Sequence, residues 1–153
     1  MTSPSARLAE LGLSLPAVVP PVGAYVPAVR SGAYVYTSGQ LPVVDGALPA
    51  TGKVGAEVAP ERAKELARTC ALNALAAIDA LVGLDAVVRV VKVVGFVASA
   101  PDFTGQPGVI NGASEFLGEV FGEAGRHARS AVGVTVLPLD SPVEVELIVE
   151  IAP

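Results

Sequence analysis

At 153 residues the chain is long enough for one hydrophobic core and short for two. Apolar residues make up 52% and charged residues only 16%, a thin polar cover for a small monomer, so the surplus apolar surface points to a subunit interface. A net charge of −5 removes the excess of Lys and Arg on which non-specific nucleic-acid binding depends, and no nucleic-acid partner is expected.

The longest apolar run, Val87–Ala98, is broken by Arg89 and Lys92 and falls short of the ~20 residues that span a bilayer, so no membrane partner is expected either. Residues 1–12 carry no cationic stretch followed by an apolar one, and Cys70 is the single cysteine. A reducing compartment, the cytoplasm, is the expected location.

In chain order, Ser3-Pro4 followed by Ala6, Leu8, Ala9 and Leu11 reads as a short helix, capped by Ser3 and ended by Gly12. Residues 16–23 are a proline-rich loop. Residues 25–29 and 33–37 are β-rich and flank a turn at Arg30-Ser31-Gly32. Residues 40–43 are a candidate short strand, and 45–55 a loop. Pro60–Val82 has Pro60 in its first turn, Glu61 and Glu65 near its positive end and Gly83 as C-cap; Leu66, Cys70, Asn73, Ala77 and Leu81 recur at helical spacing. Val87–Ala98, nearly all valine, reads as a central strand covered on both faces. Residues 109–121 predict a second helix with Ile110, Ala113, Leu117 and Phe121 as its stripe. No repeat or boundary divides the chain: residues 1–153 read as one domain, with 1–15 an N-terminal helix and extension.

The last two strands alternate most clearly. Val143, Val145, Leu147, Val149 and Ile151 interleave with Glu144, Glu146, Ile148 and Glu150. Over 129–137, Val132, Val134 and Val136 share one face, and Arg129, Ala131, Gly133 and Thr135 the other. With 137–142 as the turn, the pattern predicts a hairpin over 129–151 whose valine face enters the core. In that register Arg129 lies opposite Glu150, and Arg129 and Glu144 are ~20 Å apart along the ladder. They could then act together only across a subunit boundary. The ordinary role for Arg129 is a surface ion pair with Glu150, contributing ~0–1 kcal/mol. The sharper role is a carboxylate anchor, since the planar guanidinium matches two carboxylate oxygens, and Ala131 and Gly133 leave room above the strand.

The remaining candidates are weaker. His127 is the only histidine, so no His-based triad, dyad or multi-histidine metal site is expected within a chain, and its role reads as structural or incidental. Asp45, Asp79, Asp85 and Asp102 sit where turns and caps are expected. Thr37-Ser38-Gly39-Gln40 reads as a plain turn or as a set of N–H groups open to an anion. No Gly-rich phosphate loop in strand–helix context, CxxC or HExxH occurs.

Five fragments, in order, resemble the Rid (YjgF/YER057c/UK114) family: Val22-Gly23-Ala24-Tyr25; Tyr36-Thr37-Ser38-Gly39-Gln40-Leu41-Pro42; Val109-Ile110-Asn111; Ala128-Arg129-Ser130-Ala131-Val132; and Leu137-Pro138 with Val143-Glu144-Val145-Glu146. The resemblance implies an α+β, chorismate-mutase-like fold, a mixed sheet with two main helices on one face, assembled as a homotrimer with sites between subunits. It implies hydrolysis of reactive enamines and imines, 2-imino acids such as 2-aminoacrylate, to 2-oxo acids and ammonia, with no metal or organic cofactor. By resemblance Arg129 is the carboxylate arginine and Glu144 the water-orienting residue, while Tyr25, Ser38, Gly39, Asn111 and the backbone at Ala131 contact substrate.

Two departures suggest a divergent subgroup that keeps the arginine. Ala131 stands where deaminases of the family often carry Cys, and residues 8–15 and 45–57 depart from the common pattern. An imine carbon is already electrophilic, so positioning plus a water-orienting group suffices, and such acid–base assistance supplies typically 10²–10⁴-fold. The expected activity is thus that of a 2-iminobutanoate/2-iminopropanoate-type deaminase. The alternative is a non-catalytic module binding small carboxylates such as 2-oxo acids in the same cleft. An endoribonuclease role, also attached to the family, gains no physical help from the acidic composition.

Overall fold

The computed structural model describes residues 2–153. Along the chain run α1 (Pro4–Glu10), β1 (Ala28–Ser31), β2 (Tyr34–Thr37), α2 (Pro60–Val82), β3 (Val87–Ala98), α3 (Gln106–Phe121), β4 (Ala128–Val134) and β5 (Val143–Ile151). Local chemistry accounts for most of these limits. Ser3 caps α1 by accepting the Ala6 N–H at 3.2 Å, and Gly12 follows it at φ 74°. The Asp85 carboxylate then holds that helix by accepting the Ser5 N–H at 2.8 Å and the Ser5 hydroxyl at 2.6 Å. Helix α2 and strand β3 have the expected bounds, whereas α3 starts three residues earlier than expected, with Pro107 in its first turn. The β1–β2 turn lies at Gly32-Ala33, with Gly32 at φ 61°.

The short strand expected at 40–43 shrinks to one bridge, Gln40 to Val145. Its chain is fastened instead by buried Asn73 of α2, whose amide donates to the carbonyls of Leu41 and Val43, each at 3.0 Å. Both amide hydrogens are satisfied, so burying this polar group on an apolar face is tolerated.

The five strands form one mixed sheet in the order β1-β2-β5-β3-β4. Only β3 and β4 are parallel. Helices α2 and α3 cover one face, enclosing a core that includes Leu66, Cys70, Ile78, Val93, Ile110, Phe116 and Leu147. Two glycines allow close layers. A Cβ on Gly95 would meet the Ile110 side chain at 2.5 Å, and a Cβ on Gly112 would overlap the Lys64 carbonyl, so α3 lies tight against both β3 and α2.

Three expectations are corrected. The segment 129–151 is not a hairpin: β4 and β5 both pair with β3, which lies between them. The sequence β3–α3–β4 is a parallel crossover, which places β4 beside β3, and residues 135–142 carry the chain across the end of β3 to reach β5. The faces of β4 are also reversed. Val132 and Val136 are exposed, at 43% and 62%, while Ala131 packs against the core. Finally, β3 is covered on one face only within this chain. The other face of the sheet presents Val29, Tyr34, Tyr36 and Val132, all exposed, among charged side chains of both signs.

Candidate functional site

Arg129 stands at the second position of the edge strand β4, in register with core residues Val93 and Leu147, so its side chain leaves the sheet on the helical side. There it meets α3. One guanidinium nitrogen, Nη1, donates to Asn111 Oδ1 at 2.7 Å and to Ser114 Oγ at 3.2 Å; Nη2 donates to the Pro107 carbonyl at 3.3 Å. A guanidinium has five N–H donors. The three contacts leave the Nε–H and one Nη2–H, donors on adjacent nitrogens of the kind a carboxylate spans with both oxygens. The expected ion pair with Glu150 is absent, because Glu150 pairs with Tyr34 and Arg89 on other strands.

Glu144 occupies the opposite face. It pairs with Phe96, three residues along β3 from the partner of Arg129. Register thus separates the two by ~10 Å along the strands and ~10 Å across two strand spacings, in place of the ~20 Å of a hairpin. The carboxyl of Glu144 lines a small pocket of about 90 Å³ with Pro21, Val22, Tyr25, Gly39 and Leu139. That is room for several waters. Among the described residues no hydrogen bond reaches the Glu144 carboxylate. Burial, and secondarily the charge of Glu146, raises its pKa above the ordinary glutamate value. The Tyr25 hydroxyl accepts the Val22 N–H at 3.1 Å and keeps its own proton to donate.

The expected site residues therefore fall into two groups. Tyr25, Gly39 and Glu144 come together in the pocket, and Arg129 and Asn111 come together on the helical side, with Ala131 two residues further along that face of β4. Ser38 joins neither group directly: its hydroxyl donates to the Val26 carbonyl at 2.6 Å and its N–H to the Pro27 carbonyl at 2.8 Å, fixing the loop that carries Tyr25. With the Gln40 N–H committed to Val145, the Thr37–Gln40 turn is no open anion cradle.

Sequence reasoning missed three participants. Leu139, which lines the pocket, sits at φ 59°, a left-handed conformation rare for leucine, and nothing in the local sequence marks it. Ser114 touches Arg129, three residues after Asn111 on the same face of α3; that helical spacing was a usable signal. His127 is not incidental: its Nε2 lies 2.9 Å from Ser114 Oγ and its Nδ1 2.6 Å from the Gly125 carbonyl. Among the described residues no cluster of His, Cys, Asp and Glu could hold a metal ion, and no helix is long and apolar enough to cross a membrane.

Residues 5–151 match the family described as "YjgF/chorismate mutase-like, putative endoribonuclease". Protein TCP17 of Trypanosoma cruzi is 46% identical over 149 residues, covering 96% of this chain and 93% of that protein. A crystal structure from Shewanella oneidensis MR-1, named as a "putative endoribonuclease", is 34% identical with a TM-score of 0.94, covering 98% of this chain and all of its own. Escherichia coli TdcF with bound serine is 28% identical with a TM-score of 0.66, over 88% of this chain and 94% of that one.

Proposed function

We propose that this chain, which belongs to the YjgF/chorismate mutase-like family, hydrolyses small reactive enamine and imine intermediates of the 2-imino acid class to 2-oxo acids and ammonia. The observation that carries this reading is the state of Arg129. Three of its donors are committed within the chain and two on adjacent nitrogens remain, which is the requirement for holding a carboxylate in one orientation. Serine bound to the related TdcF is a small molecule bearing a carboxylate, in keeping with this substrate class.

In the proposed reaction Arg129 fixes the carboxylate and an enamine first takes a proton from water on carbon to become the iminium. Water held by Glu144 adds to the iminium carbon and gives up a proton to that carboxylate, leaving a neutral carbinolamine. The Glu144 carboxyl returns that proton to the amino nitrogen, and the C–N bond breaks as the carbinol hydroxyl passes its own proton to the carboxylate, releasing ammonia and leaving the 2-oxo acid. A carboxyl with a raised pKa is a better base for this step than an ordinary glutamate. Tyr25 lines the pocket with a hydroxyl proton free for the departing nitrogen.

Because Arg129 and Glu144 leave opposite faces of the sheet, the proposal includes assembly as a homotrimer. A neighbouring copy brings its Glu144 pocket to the Arg129 edge, and the exposed Val29, Tyr34, Tyr36 and Val132 supply apolar surface for the contact. Residues 1–153 act as one unit in this reading, in the cytoplasm, where the buried thiol of Cys70 stays reduced. An RNA-cleaving role draws no support from a chain with pI near 4.8.

The test couples an amino-acid dehydratase to the protein and follows 2-oxo acid formation. Acceleration by the wild type, abolished in Arg129→Ala, is the expected result. Binding of a 2-oxo acid without any acceleration over a panel of imines would replace the enzyme with a small-carboxylate binding module.

A further inference from the structure

The contacts around Arg129 continue beyond Asn111. Ser114 Oγ accepts from Arg129 Nη1 at 3.2 Å and lies 2.9 Å from His127 Nε2, while His127 Nδ1 lies 2.6 Å from the Gly125 carbonyl. A carbonyl oxygen only accepts, so Nδ1 carries the imidazole proton; in the neutral ring Nε2 is then an acceptor and the Ser114 hydroxyl donates to it. With the ring neutral, Ser114 points its hydrogen at His127 and its lone pairs at Arg129. A helical serine ordinarily turns its hydroxyl back to the carbonyl four residues earlier. His127 draws it away from that bond.

The far end of the chain is anchored by packing. Gly125 has no room for a side chain, since a Cβ there would sit 2.5 Å from the Leu117 carbonyl oxygen. The turn that carries His127 is therefore pressed onto the C-terminal part of α3, the helix that also supplies Asn111 and Ser114. His127 immediately precedes β4, two residues before Arg129, and the side chains of both reach Ser114 of α3.

We propose that Ser114 and His127 are positioning residues for Arg129, setting the plane of its guanidinium so that the Nε–Nη2 edge is presented to a small carboxylate. Asn111 occupies one hydrogen of Nη1, and the Ser114–His127 pair occupies the other. Without that second contact only the Asn111 and Pro107 contacts hold the guanidinium, which then tilts about its last bonds and turns the two free donors from their common direction. The inference rests on the assignment of Arg129 as a carboxylate anchor. It holds for an enzyme and for a binding module alike.

A single histidine gives the test a clean signal, because the imidazole spectrum of the whole protein reports His127 alone. Nitrogen-15 NMR of the intact protein at mildly alkaline pH is expected to show a neutral ring protonated at Nδ1. Titration with 2-oxobutanoate is expected to move the ring signals in the wild type and to leave them unmoved in Arg129→Ala and Ser114→Ala. With an imine substrate, Ser114→Ala raises KM about tenfold with kcat within about twofold, the size of one hydrogen bond to a charged donor. Ser114→Thr, which keeps the hydroxyl, restores the wild-type KM. Alanine favours helix, so loss of the effect through misfolding is not expected for Ser114→Ala. A ring protonated at Nε2, a ring indifferent to 2-oxobutanoate in the wild type, or an unchanged KM in Ser114→Ala overturns the positioning role. Ring signals that answer to 2-oxobutanoate without any imine turnover leave it standing and sink the deaminase reading alone.

Discussion

The carboxylate of Glu144 occupies the space that a side chain at Gly39 would fill: an added Cβ would overlap Oε1 and lie 2.7 Å from the carboxyl carbon. The glycine has an ordinary backbone conformation, so close approach and not turn geometry requires it. Gly39→Ala is expected to swing the Glu144 side chain while leaving the fold intact. A displacement of about 1 Å at a reacting group costs on the order of 10²-fold in turnover, which steady-state rates with thermal melts beside them would read. Wild-type turnover in Gly39→Ala would remove Glu144 from the reaction.

Glu144→Gln separates stability from activity. Burial, then the Glu146 charge, raises the Glu144 pKa, and burial raises that of Glu146. Between the unfolded and folded values the folded state binds more protons, so stability falls as pH rises through that interval, and the cost of the charge is fully present above it. The variant is expected to melt at a higher temperature than the wild type at pH 7.5, with the difference fading toward the ordinary value of 4.5. Its turnover is expected to drop 10²–10⁴-fold, as for a lost general base. Melts at the two pH values and a rate assay measure both.

Gly112→Ala probes the contact between helices. Its Cβ would overlap the Lys64 carbonyl, and backbone cannot move aside as a flexible side chain can. Overpacking of this kind costs about 1–3 kcal/mol. At roughly 2–4 °C per kcal/mol for a chain of this size, calorimetry is expected to show a clear fall in Tm.

Ile148→Arg tests the assembly. Ile148 is paired with Tyr36 and Lys92 in the middle of the open sheet face, where a second, bulkier cation opposite Lys92 adds like-charge repulsion and blocks a close apolar contact. Sedimentation is expected to show a trimer for the wild type and a monomer for the variant, with imine hydrolysis lost. A wild-type monomer that hydrolyses imines at full rate would sink the shared site.

Much of the architecture could be read from residue order. The bounds of α2 followed from Pro60 and Gly83, and the alternation of β5 from its five buried apolar residues, because each signal is local. The position of β4 was not legible in the same way. A six-residue turn joins neighbours or straddles a strand with equal ease, and the sequence 137–142 is compatible with both. The β3–α3–β4 order was the better guide, since a strand, a helix and a strand usually make a parallel pair. Misplacing β4 in turn misassigned its faces, because small residues facing a helix and valines facing a partner read as the reverse when each face is judged by hydrophobicity alone. Arg129, Asn111, Tyr25, Gly39 and Glu144 were named by resemblance. The Ser114–His127 contacts depend on the turn at Gly125 folding back on α3, which no spacing in the sequence encodes.

The division of Arg129 and Glu144 between two faces gives each subunit two separate jobs, one on either side, and this makes damage transferable. In the proposed trimer a chain lacking the arginine still offers an intact carboxylate to its neighbour, and a chain lacking the carboxylate still offers an intact arginine. Unfolding Arg129→Ala and Glu144→Gln chains together and refolding them in equal amounts is expected to rebuild about a quarter of the clefts with both groups, from two proteins that are each inactive alone. Recovered hydrolysis would identify the working unit as the seam between chains; a mixture as dead as its components would return both residues to a single chain.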